Sequence, residues 1–359
     1  MNKKILVGMS GGVDSSLAAA ILKEQGWEVV GFTMILWPQS KINDTPREDS
    51  CTADGAITDA KRVADTLGIE HHVIDCTNLF ESRVIDPMID EYKAGFTPNP
   101  CISCNSSMKF QDLLEGAKGL GIEDICTGHY AGVTEFGGDF LLLRSDDRKR
   151  DQSYFLYALT QDQLAHVHFP LAGMSKDKTR EMATKFNLPT ANRPDSMDLC
   201  MLGTGGIKTF LENRGLVFKP GPVLHIETEE PVGYHDGVYG VTLGQRKGLG
   251  IFGSAEPLYA IKINHSTNTV YVGPESLLKT SLFVLKDPVV RSPHLSFNCK
   301  IQTRYHSKVV SCHVTRKYIG DYLTIYTDEP IQITPGQAGV LYSTNDFACI
   351  GGGTINSLS

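Results

Sequence analysis

An apolar run, Ile5–Met9, passes straight into Ser10-Gly11-Gly12-Val13-Asp14-Ser15-Ser16, and an Ala/Leu-rich helical pattern, Ser15–Gln25, follows without a break. A strand that turns into a helix through paired glycines implies a β-α unit, with the next strand parallel to the first. The glycines let the backbone turn tightly and aim consecutive amides at one point. Asp14 or Ser15 is the expected helix cap, and the helix N-terminus adds a field that favours an anion. The geometry suits phosphate. It is not the mononucleotide P-loop, because a Gly-Lys-Ser/Thr ending is missing, and the glycine spacing differs from the dinucleotide fingerprint. The plainer alternative is an ordinary Gly-rich strand-to-helix turn.

The rest of the first half keeps this alternation. Strands are expected at Glu28–Leu36, His71–Ile74 and Asp124–Thr127, and helices at Asp54–Leu67, Leu79–Tyr92 and Lys109–Lys118. A hairpin, Gly132–Arg144, and helices at Asp162–His166 and Lys176–Phe186 follow. Strands interleaved with helices predict a doubly wound parallel sheet with ligands at the carboxyl ends of its strands. After about residue 205, Pro220-Gly221-Pro222 and Gly244–Gly253 punctuate short β-type runs, and from Leu282 onward Val309–Thr315 and Tyr322–Tyr326 suggest a closing all-β module. The expected division is 1–205, an α/β nucleotide-binding domain; 206–280, a small β-rich central domain; and 281–359, a C-terminal β domain.

A net charge of −7 argues against a protein that grips nucleic acid with its whole surface. Local basic patches remain: Arg144, Arg148, Lys149 and Arg150; Lys176, Lys178, Arg180 and Lys185; Arg246 and Lys247; Arg304, Lys308, Arg316 and Lys317. Each taken alone reads as solvated charge. No run is long and apolar enough to span a bilayer, and the opening residues read as a first strand, not a signal peptide. The 9 cysteines are therefore expected as reduced thiols in the cytoplasm.

Two cysteine segments stand out. Thr97-Pro98-Asn99-Pro100-Cys101-Ile102-Ser103-Cys104-Asn105 is expected to be extended and exposed through its prolines, with Cys104 near a helix N-terminus that favours the thiolate. Asp195-Ser196-Met197-Asp198-Leu199-Cys200-Met201 is a polar loop meeting an apolar run. Cys51, Cys76, Cys126, Cys299, Cys312 and Cys349 read as buried structural thiols. On their own, Cys104 and Cys200 read equally well as structural or catalytic.

Ser-Gly-Gly-x-Asp-Ser after a first strand resembles the PP-loop ATP pyrophosphatase superfamily, whose members cleave ATP between the α- and β-phosphates and leave an adenylated substrate. With Glu91-Tyr92-Lys93-Ala94-Gly95, Thr97–Cys104, Thr127-Gly128-His129-Tyr130, Asp151-Gln152-Ser153-Tyr154-Phe155-Leu156, Asp195–Cys200, Thr242–Gly250 and Arg304-Tyr305, nearly the whole chain resembles the tRNA-specific 2-thiouridylases, the MnmA/TrmU family. That resemblance implies an N-terminal PP-loop domain, a small central domain and a C-terminal β-barrel. It implies ATP with Mg²⁺ as cofactor, held by Gly8, Met9, Ser10, Gly11, Gly12, Val13, Asp14, Ser15, Met34 and Gly128. It makes Cys200 the carrier of a persulfide and Cys104 the nucleophile that resolves it, the two joining transiently in a disulfide. Asn99, Pro100 and Cys101 would line the pocket of the wobble uridine, and Arg150, Asp151, Gln152, Arg304 and Tyr305 would contact tRNA. The partners implied are tRNA and an upstream persulfide or sulfide donor, such as a cysteine desulfurase or a sulfur relay protein.

The sequence departs from the better-known members at Cys101, where they have Asp, and at Ser106, where they usually have Lys. Cys101, Cys104 and Cys200 then form a candidate ligand set for a [4Fe–4S] cluster with one iron open, an alternative route to the same thiolation. A PP-loop synthetase acting on a small molecule, or a non-catalytic adenylate sensor, would leave both cysteines without a role.

Overall fold

The computed structural model describes residues 3–37, 54–195, 199–253, 256–316 and 322–356; Cys51, Ser196, Met197, Asp198 and Lys317 lie outside them. The chain divides into two compact units, one of Met1–Ile85, Pro100–Thr204 and Asn345–Cys349, the other of Asp86–Asn99, Gly205–Thr344 and Ile350–Ser359.

In chain order, β1 (Lys4–Gly8), α1 (Val13–Glu24), β2 (Glu28–Ile35), α2 (Asp54–Leu67) and β3 (Glu70–Asp75) come first. α3 (Thr77–Phe80), a π-helical turn Glu81–Ile85 and α4 (Asp86–Lys93) fill the expected helix Leu79–Tyr92. Then α5 (Pro100–Cys104), a second π-helical turn Asn105–Lys109 and α6 (Phe110–Gly119) run on without a gap, followed by β4 (Asp124–Cys126) and a hairpin of β5 (Ala131–Phe136) and β6 (Asp139–Arg144). α7 (Ser153–Leu156), α8 (Gln161–His166), β7 (Val167–His168) and α9 (Lys176–Lys185) follow; of all these elements only α4 belongs to the second unit.

The sheet of the first unit has five strands in the order β3-β2-β1-β4-β7, all parallel. Central β1 is covered on both faces, so Ile5, Leu6 and Val7 are fully buried, which is why the strand reads as a continuous apolar run. The small residues of α1 let it sink between neighbours: Leu17, Ala18 and Ala19 share one core with Ala60 and Val63 of α2 and Ala183 of α9. The chain steps outward from β1 to β3 and returns to β4 on the other side of β1. The switch point between β1 and β4 opens a crevice at their carboxyl ends, where a ligand of this fold binds.

The second unit holds α10 (Gly206–Asn213), then β8 (Gly221–His225), β9 (Pro231–His235), β10 (Tyr259–Asn264) and β11 (Thr269–Gly273), which form a four-stranded sheet in the order β10-β11-β8-β9. β12 (Lys279–Val290), β13 (Ser296–Gln302), β14 (Val310–Arg316), β15 (Tyr322–Gln332), β16 (Ala338–Tyr342) and β17 (Ala348–Asn356) follow, and the pairing of β12 with both β15 and β17 closes them into a barrel. Closure leaves no free edge, and alternating residues such as Phe283, Leu285, Cys312, Val314, Leu323 and Ile325 point inward as its core. The first residues of β17 count with the other unit, where Ala348 and Cys349 pair with Leu143 and Leu142 of β6.

A short helix, α10, leads into the β-rich region after residue 205, with Phe210 and Leu211 burying one face of an amphipathic run. One expectation needs correction. Pro100–Cys104 is helical rather than extended, and Pro100, Ile102 and Cys104 are buried. A proline at the first helical position sacrifices an N–H that would have no intrahelical partner, and its φ is already helical. Among the described residues no helix is long and apolar enough to cross a membrane.

Candidate nucleotide site and cysteine segments

The loop after β1 is held in a conformation that only glycine adopts without strain. Gly11 has φ +73°, and a Cβ there would stand 2.1 Å from the Ala56 carbonyl oxygen. Gly12, not Asp14 or Ser15, is the N-cap of α1, and no side chain caps it. Ser15 and Ser16 instead donate their hydroxyls back to the Gly12 carbonyl, at 3.3 and 2.8 Å, while the Ser10 amide donates to Ser15 Oγ at 3.1 Å. The hydroxyls stitch the loop together, and the N-terminal field of a twelve-residue helix faces the crevice.

Gly8 and Met9 anchor the approach: the Met9 amide donates to the Phe32 carbonyl at 2.8 Å, and Thr33 donates to the Met9 carbonyl at 2.7 Å. Val13 is buried beneath the loop. Met34 is half-buried near the carboxyl end of β2, opposite Ile74 of β3. Gly128, just past β4, lies against the same loop from the other side of the crevice; a Cβ there would meet the Ser15 nitrogen at 2.5 Å. His129 is a structural histidine: its Nδ1 meets Thr127 Oγ1 at 2.8 Å and its ring packs on Phe110 and Phe169.

Asp14 points away from the role of a helix cap. Both its oxygens accept from the Lys176 ammonium, at 2.7 and 2.8 Å, and Oδ1 also accepts from the Tyr130 hydroxyl at 2.8 Å. The same ammonium lies 2.8 Å from Asp195, whose carboxylate also meets Arg180 at 2.7 Å and Arg150 at 3.1 Å. Burial pushes the Asp195 carboxyl up, but the Lys176 hydrogen bond and the charges of Lys176, Arg180 and Arg150 together hold it below its ordinary value. Arg193 donates to the Gly11 carbonyl at 3.1 Å and pairs with Asp59. Sequence reasoning treated Lys176 and Arg180 as surface charge; both are spent on this network. The signal it passed over was a lysine placed directly after Ser175, the helix N-cap.

The network ties the run ahead of Cys200 to the phosphate loop. Asp195 opens that run, and Cys200 is half-buried in the turn that ends it, where the Leu202 amide donates to the Leu199 carbonyl at 3.1 Å. Cys101, half-buried, lies in the first turn of α5, and Cys104, buried, ends that helix. Among the described residues no group of three His, Cys, Asp or Glu side chains stands ready to hold a metal ion, so Cys101, Cys104 and Cys200 do not form a cluster-binding set in this arrangement. Cys76, Cys126, Cys299, Cys312 and Cys349 are all buried. Burial pushes Cys76 up to about 11 and raises Cys126 further, as expected of inert thiols.

Arg150, Asp151 and Gln152 separate into different roles. Arg150 is largely exposed, whereas Asp151 is buried and accepts from Arg144 Nε at 2.6 Å, the Ser145 and Ser153 amides, and the Ser153 hydroxyl. The Gln152 carboxamide oxygen accepts from the Tyr130 amide at 2.9 Å, which ties this turn to the Gly128–Tyr130 segment. In the second unit, Arg304 donates to Thr334 Oγ1 at 2.6 Å, and Tyr305 stacks on His306. The neighbouring turn carries Gly336, at φ +90°, whose α-carbon lies so close to Thr97 that a Cβ would stand 2.8 Å from the Thr97 nitrogen. The Thr97 amide donates to the Pro335 carbonyl at 3.1 Å, which positions the residues leading to Asn99.

Comparison with known proteins agrees with these features. The tRNA methyl transferase HUP domain family matches residues 3–204, the tRNA methyl transferase PRC-barrel domain family 208–274, and the aminomethyltransferase beta-barrel domain family 281–355. The chain is 42% identical to the tRNA-specific 2-thiouridylase MnmA of Rickettsia bellii, over 98% of this chain and 95% of that one. It is 42% identical to the protein of the same name from Geobacter metallireducens, over 99% and 97% of the two chains, and 39% identical to that of Clostridium botulinum, over 99% and 98%. With a PP-loop at the switch point of its parallel sheet and full-length kinship to these proteins, the chain belongs to the tRNA-specific 2-thiouridylase family.

Proposed function

We propose that this protein is an ATP-dependent tRNA sulfurtransferase that exchanges the C2 oxygen of the wobble uridine for sulfur. The observation that carries this reading is full-length kinship to the 2-thiouridylases, and the reading assigns sulfur transfer to Cys104 and Cys200. The uracil oxygen is a poor leaving group. Attack of that oxygen on the α-phosphorus expels pyrophosphate into the loop Ser10–Ser15 and leaves an O-adenylated base. The terminal sulfur of a Cys200 persulfide then adds to C2, and AMP departs with the oxygen. The Cys104 thiolate attacks Cys200 Sγ, breaks its bond to the transferred sulfur and leaves 2-thiouridine and a Cys104–Cys200 disulfide, which an external dithiol reduces. The base is reached at low cost because the anticodon loop is already single-stranded.

Gly8–Ser15, Met34 and Gly128 bind the nucleotide in this reading, and Asn99, Pro100 and Cys101 receive the base. Arg150, Gln152, Arg304 and Tyr305 meet the RNA, and Asp151, whose carboxylate is taken by Arg144, Ser145 and Ser153, fixes the turn that carries Arg150 and Gln152. Mg²⁺ comes with the phosphates of ATP; Asp14, the carboxylate the sequence offers for it, is occupied by Lys176 and Tyr130. Cys101 supplies no carboxylate at a position where better-known relatives have one. Sulfur travels as the Cys200 persulfide rather than on an iron–sulfur cluster, so anaerobically purified, active protein should contain neither iron nor acid-labile sulfide. The sulfur donor belongs to the persulfide-forming class, and the compartment is the cytoplasm. Pyrophosphate release tests the reading: enzyme and ATP release it only when unmodified tRNA is present, whereas RNA-independent release would speak for a small-molecule synthetase.

A further inference from the structure

Along the antiparallel pair β13–β14 of the barrel, the inward positions face each other as rungs. Phe297 faces Val314, Cys299 faces Cys312, and Ile301 faces Val310. Two apolar rungs thus flank a rung of two buried thiols, whose sulfurs lie 3.5 Å apart. A β-branched pair would suit the interior of a strand pair better, as the neighbouring Ile301–Val310 rung shows. Facing residues of an antiparallel pair have Cα atoms about 4.5–5.5 Å apart, inside the range of about 4.4–6.8 Å that a disulfide spans. The sulfurs need to close by only about 1.5 Å to reach bonding distance. A cavity of about 230 Å³, lined by both cysteines with Asn298, Lys300 and Ser311, reaches this rung and has room for a water-sized oxidant. Between the two strands runs the turn that carries Arg304 and Tyr305.

We infer that Cys299 and Cys312 are a redox dithiol, a modification site that hydrogen peroxide converts into a cross-strand disulfide of the barrel. This chemistry is independent of the sulfur transfer assigned to Cys104 and Cys200. Cys312 Sγ, as thiolate, attacks one peroxide oxygen and the O–O bond breaks. The hydroxide released takes the proton that Cys312 gave up and leaves as water, and Cys312 is left as a sulfenic acid. Cys299 Sγ then attacks the Cys312 sulfur, the S–O bond breaks, and the departing hydroxide takes the Cys299 proton as a second water. Two thiols lose two electrons, and one peroxide is reduced to two waters. The hydrogen bond to Cys312, and then burial, push the Cys299 thiol up, so Cys299 keeps its proton until the second step. A dithiol reverses the bond by exchange, so in a reducing compartment it forms only while oxidant is present. While it lasts, it ties together the two strands that present Arg304 and Tyr305.

The test treats the folded, full-length protein with hydrogen peroxide, blocks the remaining thiols with N-ethylmaleimide and maps unreduced peptides by mass spectrometry. The expected product is a peptide pair joined through Cys299 and Cys312, lighter by two hydrogens and released by dithiothreitol. A melting curve gives the second readout, taken with Cys104→Ser present throughout so that the Cys104–Cys200 bond cannot contribute. Peroxide should raise the midpoint of the barrel's transition by at least about 4 °C, and Cys312→Val should abolish that rise. Should Cys312→Val fail to fold, the wild-type peptide map decides alone. Cys299 and Cys312 recovered unlinked after peroxide, or joined only once the protein has been unfolded in urea, overturn the inference. An equal rise in folded Cys312→Val overturns it too.

Discussion

The carboxamide of Gln337 donates to the carbonyl of Thr97 at 2.7 Å, and extends to that of Pro98 at 3.3 Å. With the Thr97 amide bonded to Pro335 and the Gly336 α-carbon pressed against the same residue, a single barrel turn grips the segment that leads to Asn99. The adjoining Thr334 also receives Arg304, so the arginine proposed to meet RNA and the residues leading to Asn99, proposed to receive the base, share one support.

Removing this grip should harm chemistry more than stability. Gln337→Ala loses two hydrogen bonds, worth about 1–2 kcal/mol in urea denaturation. A base misplaced by about an ångström can lower kcat up to a hundredfold. Gln337→Glu, isosteric but facing two carbonyls with a carboxylate, should be at least as impaired at neutral pH and recover as the pH falls.

Gly11 and Gly128 offer a sharper test of the loop. At Gly11 an alanine meets both a left-handed φ and the Ala56 carbonyl, and at Gly128 it meets the Asp14–Ser15 peptide. Each substitution should cost about 1–3 kcal/mol and abolish nucleotide binding in calorimetry. Alanine at Gly119, which has no left-handed φ and open space for a Cβ, would not touch the loop and serves as the control.

Asp151 and Arg150 are neighbours with opposite expectations. Asp151→Ala takes one of two carboxylates from the Arg144 guanidinium, 6% exposed, leaving Asp346, and should cost about 1–3 kcal/mol in urea denaturation. Arg150→Ala, at an exposed position, should change stability by less than about 1 kcal/mol while weakening tRNA binding and reducing its salt dependence.

Acid stability should report His129. Burial, and then the nearby Lys109 charge, push this imidazole down from 6.5 to about 3. Because the folded value is the lower one, the unfolded chain binds the extra proton between these values; the stability held above pH 6.5 is lost as pH falls towards 3. His129→Gln should flatten that acid limb by up to about 1.4 kcal/mol per pH unit.

The fold was legible where local chemistry and tertiary role agree. Paired glycines, an apolar first strand and an Ala-rich helix announce both the phosphate loop and its place in a parallel sheet, and period-two runs such as Val310–Arg316 announce the barrel. Pro100 misled, because a proline read as a breaker also starts a helix. Lys176 stayed hidden because its meaning lies in Asp14, 162 residues away, and no local pattern encodes that distance. Asp151 reads as an RNA contact from its motif, yet its carboxylate is consumed by Arg144, Ser145 and Ser153.

The central claim is an atom exchange, and it can be measured directly. Purified protein, ATP, Mg²⁺, a persulfide donor and unmodified tRNA are combined, and the RNA is digested to nucleosides for mass analysis. The account predicts a wobble uridine with one sulfur in place of one oxygen, and none with Cys104→Ser or Cys200→Ser. A wobble uridine that keeps its oxygen while pyrophosphate is released, or sulfur incorporated equally by both serine variants, would contradict it.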